Sequence, residues 1–375
     1  MRILYLINVD WFFVSHFLHL ARNAKAEGHE VVIATHAEKA GARLAGEGFT
    51  VLDLPARRGG SVPAGLFGAV GAVAKDLQRT PGTILLGFGF FGIVVGTLAS
   101  LRARHRRRAF YITGRGYAAA SPSPSARLFR VTSRLFCRWL ADGPTTRWIA
   151  ENDADIASLC PARAVCEGRT VRVHGAGIEP AAFTVAPMPP PTPLRVALVG
   201  RMIWSKGVDL AVEAVRRARE RGTAIELSIA GGLDPGNPAS LTMETMRGFE
   251  RIPGIRWLGA VTDINGLWAA HHVGILPSRG GEGVPRSLIE AAACGRPIIT
   301  TDVPGCRELA ATTGGWTVPV EDAAALAAAL VDASRAPNLA ARGEKARAAV
   351  AADYTVTRNW EAIAKVFRDL DQGRA

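Results

Sequence analysis

Cysteine is scarce in this chain, and what there is does not pair: Cys137, Cys160, Cys166, Cys294 and Cys306 are an odd number without CxxC spacing. That excludes a disulfide-framed scaffold and a zinc ribbon. Histidine, cysteine and aspartate do not cluster as ligands, so neither a metal nor any other cofactor is expected. The N-terminus has no signal-peptide pattern; its apolar run Ile3 to Ile7 is too short for one and has the length of a buried strand. A reducing cytosol is the expected compartment. One uncharged stretch, Gly82 to Leu101, is long enough to resemble a membrane span and is followed by a basic cluster. Its glycines at 82, 87, 89, 92 and 96 favour a strand, Thr83 to Leu86, then a turn and a helix from about Gly92 to Arg102.

Acidic residues are nearly missing from one region. Residues 101–150 hold eleven arginines against a single acid, Asp142, so most of the net charge of +12 is local. Arg127, Arg130, Arg134 and Arg138 recur at helical spacing, with Leu128, Phe136, Trp139 and Leu140 pointing elsewhere, which predicts a basic amphipathic helix. Arg102, Arg104, Arg106, Arg107 and Arg108 add to the same field. An anionic membrane surface or a phosphate-bearing substrate fits it. The plainer alternative is a solvated charged face over a buried apolar one. Nucleic acid is not expected, because zinc-finger spacing, an RNP-like strand and a dimeric basic region are all lacking.

What is present is a two-part α/β rhythm. The chain has 375 residues, and chains beyond about 250 to 300 residues divide into domains. Ile3 to Ile7, a helix from about Ser15 to Glu27 and Val31 to Ala34 open an alternation that marks a parallel sheet with helices on both faces. Five prolines between Pro187 and Pro193 can form neither helix nor central strand. After them the rhythm repeats: strand Arg195 to Val199, helix Val208 to Arg219, then strands Ile225 to Ile229, Ile255 to Leu258, Gly274 to Pro277 and Pro297 to Thr300. The expected organisation is a Rossmann-like domain over 1–186, a linker over 187–193, a second Rossmann-like domain over 194–353, and a terminal segment, 354–375, whose helix from Thr357 to Leu370 packs back across. A ligand would sit in a cleft between the halves, at strand carboxyl ends and helix amino ends.

Two motifs in the second half carry chemistry. Gly200-Arg201-Met202-Ile203-Trp204-Ser205-Lys206-Gly207 leaves a strand and sets two cations where a diphosphate can sit. Arg201 can fork onto phosphate oxygens and Lys206 supplies a mobile point charge. Gly280-Gly281-Glu282-Gly283-Val284-Pro285-Arg286-Ser287-Leu288-Ile289-Glu290 follows another strand. Its glycines let backbone amides approach a ligand, a helix begins near Pro285, and Glu290 lies inside that helix while Glu282 precedes it.

These two glutamates, together with Arg201 and Lys206, resemble glycosyltransferase family 4, over nearly the whole second half. Gly231-Gly232-Leu233-Asp234-Pro235-Gly236-Asn237-Pro238-Ala239-Ser240 and Thr301-Asp302-Val303-Pro304-Gly305-Cys306-Arg307-Glu308 resemble bacterial transferases that extend polyprenyl-diphosphate-linked saccharides, including N-acetylgalactosaminyltransferases. The resemblance implies a GT-B fold and retaining transfer of a hexose or N-acetylhexosamine from a UDP-sugar, in polysaccharide assembly at the inner face of the cell membrane. It implies that Glu290 holds the ribose, Glu282 contacts the donor sugar, Arg201 and Lys206 hold the diphosphate, and Gly200, Gly231, Gly281, Gly283 and Val284 line the donor site. By the residues alone, Asp234 to Asn237 is a plain turn.

In the first half, Trp11-Phe12-Phe13-Val14-Ser15-His16 stands where related enzymes often carry a Gly-rich acceptor loop. Ser15 can cap the following helix, and His16 can contact sugar or phosphate as a catalytic or acceptor-binding group. Gly114-Arg115-Gly116-Tyr117 can bring Arg115 to an acceptor diphosphate, or be an ordinary turn. Asn152, Asp153 and Asp155 read equally well as a helix cap, and His174 to Ile178 as an interdomain segment. Three rival functions share features with this chain. A dehydrogenase is suggested by the GxGxxG at Gly87, Gly89 and Gly92, but the ribose-binding acid expected about twenty residues on is absent. An epimerase or a non-catalytic membrane-binding scaffold could share the fold.

Overall fold

The computed structural model describes residues 1–55, 62–116 and 120–373. It divides into two compact units. Unit 1 runs from the N-terminus to Gly177, apart from Ala120 and Ser121, and takes up the chain again from Val356; unit 2 spans Ile178 to Thr355 together with Ala120 and Ser121. Among the described residues each unit is built on one all-parallel sheet. The first contains β1 (Arg2–Val9), β2 (Glu30–His36), β3 (Thr50–Asp53), β4 (Ile84–Phe88), β5 (Arg108–Ile112), β6 (Arg147–Ala150) and β7 (Thr170–Arg172), in the order β3-β2-β1-β4-β5-β6-β7. The second contains β8 (Leu194–Val199), β9 (Ile225–Ala230), β10 (Ile255–Gly259), β11 (Val273–Leu276), β12 (Ile298–Thr301) and β13 (Trp316–Val318), in the order β10-β9-β8-β11-β12-β13.

Both orders reverse direction once, between β1 and β4 and between β8 and β11. In open α/β sheets that reversal leaves a crevice beyond the strand carboxyl ends, because the flanking helices diverge to opposite faces. The loops leaving β8 and β11 carry the two motifs of the second half. Strand cores are near-continuous apolar runs, as a sheet covered on both faces demands: Ile3, Leu4, Tyr5 and Leu6 in β1, and Val196, Ala197 and Leu198 in β8, are fully buried.

The uncharged stretch from Gly82 divides into β4 and the helix Gly89–Ala103. Among the described residues no helix is long and apolar enough to cross a membrane. The glycines of its GxGxxG pattern serve packing. A Cβ on Gly87 would lie 2.6 Å from the Gly92 carbonyl oxygen, and one on Gly92 would lie 3.0 Å from that of Leu6, so strand and helix touch backbone to backbone.

Two expectations change. The helix expected from Ser15 to Glu27 is two helices, Asp10–His16 and Leu18–Ala26, broken at Phe17. Ser15 therefore lies in the last turn of the first helix and caps nothing; its hydroxyl donates to the Phe12 carbonyl at 3.1 Å and meets His16 Nδ1 at 2.7 Å. The proline run, 187–193, lies within unit 2 and packs against it. Buried Arg296 donates to the carbonyls of Ala186 and Pro187, and His272 Nε2 lies 3.2 and 3.1 Å from those of Pro189 and Pro190.

The terminal helix, Val356–Asp371, completes the core of unit 1. Trp360, Ile363, Phe367 and Leu370 are buried, with the Phe367 ring 6.3 Å from that of Tyr5. Asn359 Nδ2 donates to the Gly175 carbonyl at 2.5 Å and to Tyr111 Oη at 3.2 Å. Phe367→Ala is therefore expected to destabilise unit 1 by about 3–5 kcal/mol, the range for a fully buried aromatic, read as a lower denaturation midpoint; an unchanged midpoint would mean the helix is dispensable.

Candidate functional site

The segment leaving β8 turns through Trp204–Lys206 and enters the helix Val208–Glu220. It aligns beside the segment after β9: Met202 bridges to Leu233, Ile203 to Ser240, and Trp204 N–H donates to the Ala239 carbonyl at 2.8 Å. That pairing gives the Asp234 to Ser240 turn its purpose. Asp234, nearly buried, accepts from Arg201 Nη1 at 2.7 Å and is held in turn by its own N–H on Ser240 Oγ. The turn expected there is present, but it is also the anchor that aims Arg201. Gly231 must be glycine: its φ is +151°, and a Cβ would lie 1.6 Å from the Gly200 carbonyl oxygen.

Lys206 meets the glutamate loop. Its Nζ lies 2.8 Å from Glu282 Oε1 and 2.9 Å from Oε2, with both side chains largely buried. Ser278 Oγ donates a further bond to Glu282 Oε1 at 3.2 Å. The loop is pinned from behind by Gly305, whose φ of +79° lets its backbone rest on the Gly283 carbonyl, where a Cβ would intrude to 1.5 Å. Pro285 then starts the helix Arg286–Ala293, and Arg286 Nε donates to Glu290 Oε1 at 2.8 Å, one turn along. Burial pushes the Glu290 carboxyl above the usual range, and the neighbouring Arg286 offsets only part of that.

Arg279 is the group the sequence reading missed. Its buried guanidinium forks onto Asp209 at 2.8 and 2.7 Å and onto Glu321 at 2.6 and 3.1 Å. It also donates to the Trp204 carbonyl at 2.7 Å and stacks 4.8 Å over the Trp204 ring, while its N–H bonds the Ser205 carbonyl at 2.8 Å. Burial opposes the charge, but the two carboxylates outweigh it and hold the pKa above its ordinary value. Arg279 thus ties the Lys206 loop to the Glu282 loop. Its partners come from positions seventy residues upstream and forty-two downstream, so no local pattern announces it.

The residues singled out in the first half lie in unit 1. His16 ends the first helix, half-buried, its ring 4.3 Å from that of Phe12. Asp10, at the start of that helix, was not foreseen; its Oδ2 accepts from the N–H groups of Lys39 and Ala40 and fixes the loop after β2. Arg115 Nε donates to Asp155 at 2.8 Å, and Asp155 N–H is capped by Asn152 at 2.8 Å, so Asn152 and Asp155 make a helix start and an arginine anchor at once. Tyr117 lies outside the described residues. Arg127, Arg130, Arg134 and Arg138 lie on the helix Pro124–Phe136 and its one-turn π continuation, Cys137–Ala141.

That helix has three sides. Ala126, Ser133 and Cys137, all small, face the protein; the arginines form a second stripe; Leu128, Val131, Leu135 and Trp139 form a third, each one residue on from an arginine position and all well exposed. Phe136 packs inward against the core of unit 1, but Leu128, Val131, Leu135 and Trp139 point outward, so a charged face over a fully buried apolar one is not what is found; Trp139 is 74% exposed.

Two family descriptions match the chain: glycosyl transferase 4-like over residues 2–141 and glycosyl transferases group 1 over residues 193–335. The chain belongs to this glycosyltransferase family. It is 31% identical over 169 residues to the Escherichia coli K12 protein provisionally named colanic acid biosynthesis glycosyltransferase WcaL, covering 43% of this chain and 41% of that one. It is 33% identical over 113 residues to an N,N'-diacetylbacillosaminyl-diphospho-undecaprenol alpha-1,3-N-acetylgalactosaminyltransferase of Campylobacter jejuni, covering 30% and 28%. The chain spans about half or less of the length of the first curated relatives it matches. Sucrose-phosphate synthase of Thermosynechococcus elongatus superposes over all of both chains with a TM-score of 0.79 at 18% identity. Anabaena HepE, in complex with UDP and glucose, superposes over 98% of this chain and 100% of its own with a TM-score of 0.75 at 18% identity. The fold is GT-B.

Replacing Arg279 by Leu is expected to cost about 2–3 kcal/mol, less than a fully buried pair because Asp209 and Glu321 are each about half exposed. Arg279→Lys should recover little, since an ammonium cannot fork between two carboxylates. Thermal denaturation of both variants decides it, and a wild-type melting temperature in either would remove Arg279 from this role.

Proposed function

We propose that this chain transfers a sugar, with retention at the anomeric carbon, from a UDP-sugar to a lipid-linked saccharide at a membrane surface. The observation that carries the reading is the gathering, at the switch point of the second sheet, of two cations each held by its own carboxylate: Arg201 on Asp234 and Lys206 on Glu282. When the sugar–phosphate bond breaks, negative charge grows on the departing diphosphate, and cations already in place stabilise it without reorganisation. In this reading Arg201 and Lys206 hold the diphosphate, Glu282 contacts the sugar, Glu290 accepts the ribose hydroxyls, and Gly200, Gly231, Gly281, Gly283 and Val284 shape the pocket.

The donor is supported by the HepE complex with UDP and glucose, and the acceptor class by the undecaprenol-diphosphate in the Campylobacter relative's name. Ser15, His16 and Arg115 are assigned to the acceptor, with His16 as a catalytic candidate. The stripe of Arg127, Arg130, Arg134 and Arg138 beside exposed Leu128, Val131, Leu135 and Trp139 suits a helix lying in the headgroup layer of an anionic bilayer.

The first test supplies a panel of nucleotide sugars with a membrane extract carrying polyprenyl-linked saccharides, with and without chelator. One donor is expected to turn over, only with the lipid fraction and regardless of chelation. Glu282→Ala and Lys206→Ala should each lower the rate about 10²–10³-fold, the scale of losing one preorganised electrostatic contact. Full rates in both variants would overturn the assigned roles. Tight binding to anionic vesicles without turnover would point to a scaffold, and interconversion of the donor to an epimerase.

Glu290 gives a pH signature. A raised pKa means that the carboxyl takes up its proton earlier on acidification than an ordinary glutamate. UDP affinity should therefore fall as the pH drops, with a midpoint above the usual glutamate range, and Glu290→Gln should bind weakly with no such dependence; calorimetry at several pH values reads both. A midpoint shared by wild type and variant would assign the titration elsewhere.

A further inference from the structure

Holding two ribose hydroxyls is a task that the surroundings of Glu290 oppose. A carboxylate that accepts both must be charged and kept in one rotamer. Glu290 stands among buried Leu288, Ile289, Ala291 and Ala292, and its own side chain is 13% exposed. Burial favours the neutral acid, and a glutamate side chain left to itself samples many rotamers. Arg286 answers both difficulties, with its Nε donating to Glu290 Oε1 at 2.8 Å. Among the described residues it is the charged group that acts on the Glu290 carboxyl. Arg296 and Arg347 act on Cys294 at the end of the helix, whose thiol stays neutral because burial pushes its pKa up to about 11.

The pair does little for the helix itself. Arg286 is the first residue of the helix, where the positive end of the helix dipole disfavours a cation, and arginine before glutamate is the weaker order for a pair one turn apart. Its effect is local to the carboxylate: Oε1 is tied, and among the described residues no other side chain bonds to Oε2. We propose that Arg286 is a positioning residue of the nucleotide site, fixing Glu290 through Oε1 so that a charged Oε2 is presented to the ribose. This rests on the assignment of Glu290 to the ribose and deepens it. Arg286 acts through Glu290 and does not itself touch the nucleotide.

Arg286→Met removes the charge and keeps the length of the side chain. In this variant the pH midpoint below which UDP affinity falls, read by calorimetry, is expected to move up by about one to three pH units, the effect of losing an opposite charge a few ångströms from a carboxyl. On the alkaline side affinity should return to within about tenfold of wild type, the remainder being the cost of ordering one side chain. Arg286→Lys should bring the midpoint back toward wild type. In a Glu290→Gln background, which also subtracts the titration of UDP itself, Arg286→Met should change nothing. Melting temperature checks the fold of each variant. An unmoved midpoint in a folded Arg286→Met, no rescue by lysine, or an equal loss of affinity at every pH, which would put Arg286 on the nucleotide, would each overturn the proposal. NMR of isotope-labelled glutamate carboxyls, with the Glu290 signal assigned by Glu290→Gln, follows the same proton without nucleotide. If that signal titrates while UDP affinity ignores Glu290→Gln, the ribose assignment falls and this proposal with it; UDP binding that depends on Glu290 with the same midpoint in wild type and Arg286→Met sinks this proposal alone.

Discussion

Unit 2 depends on one buried guanidinium. Arg279 has been taken out of water, which is costly, and the cost is offset only because Asp209 and Glu321 supply paired oxygens on two sides and the Trp204 ring covers a face. The arrangement has a geometric result. The loop after β8 and the loop after β11 cannot drift independently, so Lys206 and Glu282 stay within hydrogen-bonding distance of each other. Close backbone contacts at Gly231 and Gly305 finish the constraint by leaving those loops no room to slide. The local structure is then a consequence of distant residues, and the chemistry a consequence of the local structure.

How much of this was legible follows from where the partners lie in the chain. Strands buried on both faces write their apolar runs continuously, so most could be read directly, and the short β13 (Trp316–Val318), with one buried residue in three, could not. Glu282 and Glu290 stand in one contiguous motif with glycines and Pro285, and the helix starts at Arg286, one residue after the proline. Arg279, directly before that motif, went unnoticed because a lone arginine after a strand looks like a solvated loop charge until Asp209 and Glu321 are brought to it. Asp234 was seen but read as a turn; the turn is real, and its second purpose appears only when Arg201 arrives from the neighbouring strand.

The basic helix shows a different limit. Periodicity finds stripes, but it does not say which stripe faces the protein. Here the inward side is the one with small residues, Ala126, Ser133 and Cys137, which lets the helix sit close and turns Leu128, Leu135 and Trp139 out. Ser15 failed for a related reason. A good capping residue caps only if the helix starts after it, and the side chain of Phe17, packed 4.5 Å from Phe88 and 5.1 Å from Tyr111, takes priority and breaks the helix beyond it.

The route of the chain has a consequence for how the molecule is made. Apart from Ala120 and Ser121, unit 2 is one continuous stretch, whereas unit 1 lacks its last helix until residues 356–371 exist. During vectorial synthesis the segment begun first is therefore finished last: the sheet of unit 1 emerges early with the surface meant for Trp360, Ile363 and Phe367 uncovered, and stays so while all of unit 2 is translated. At about 5–20 residues per second, that interval is on the order of ten to forty seconds, a window in which an open apolar face on the nascent chain is a natural target for ribosome-associated chaperones.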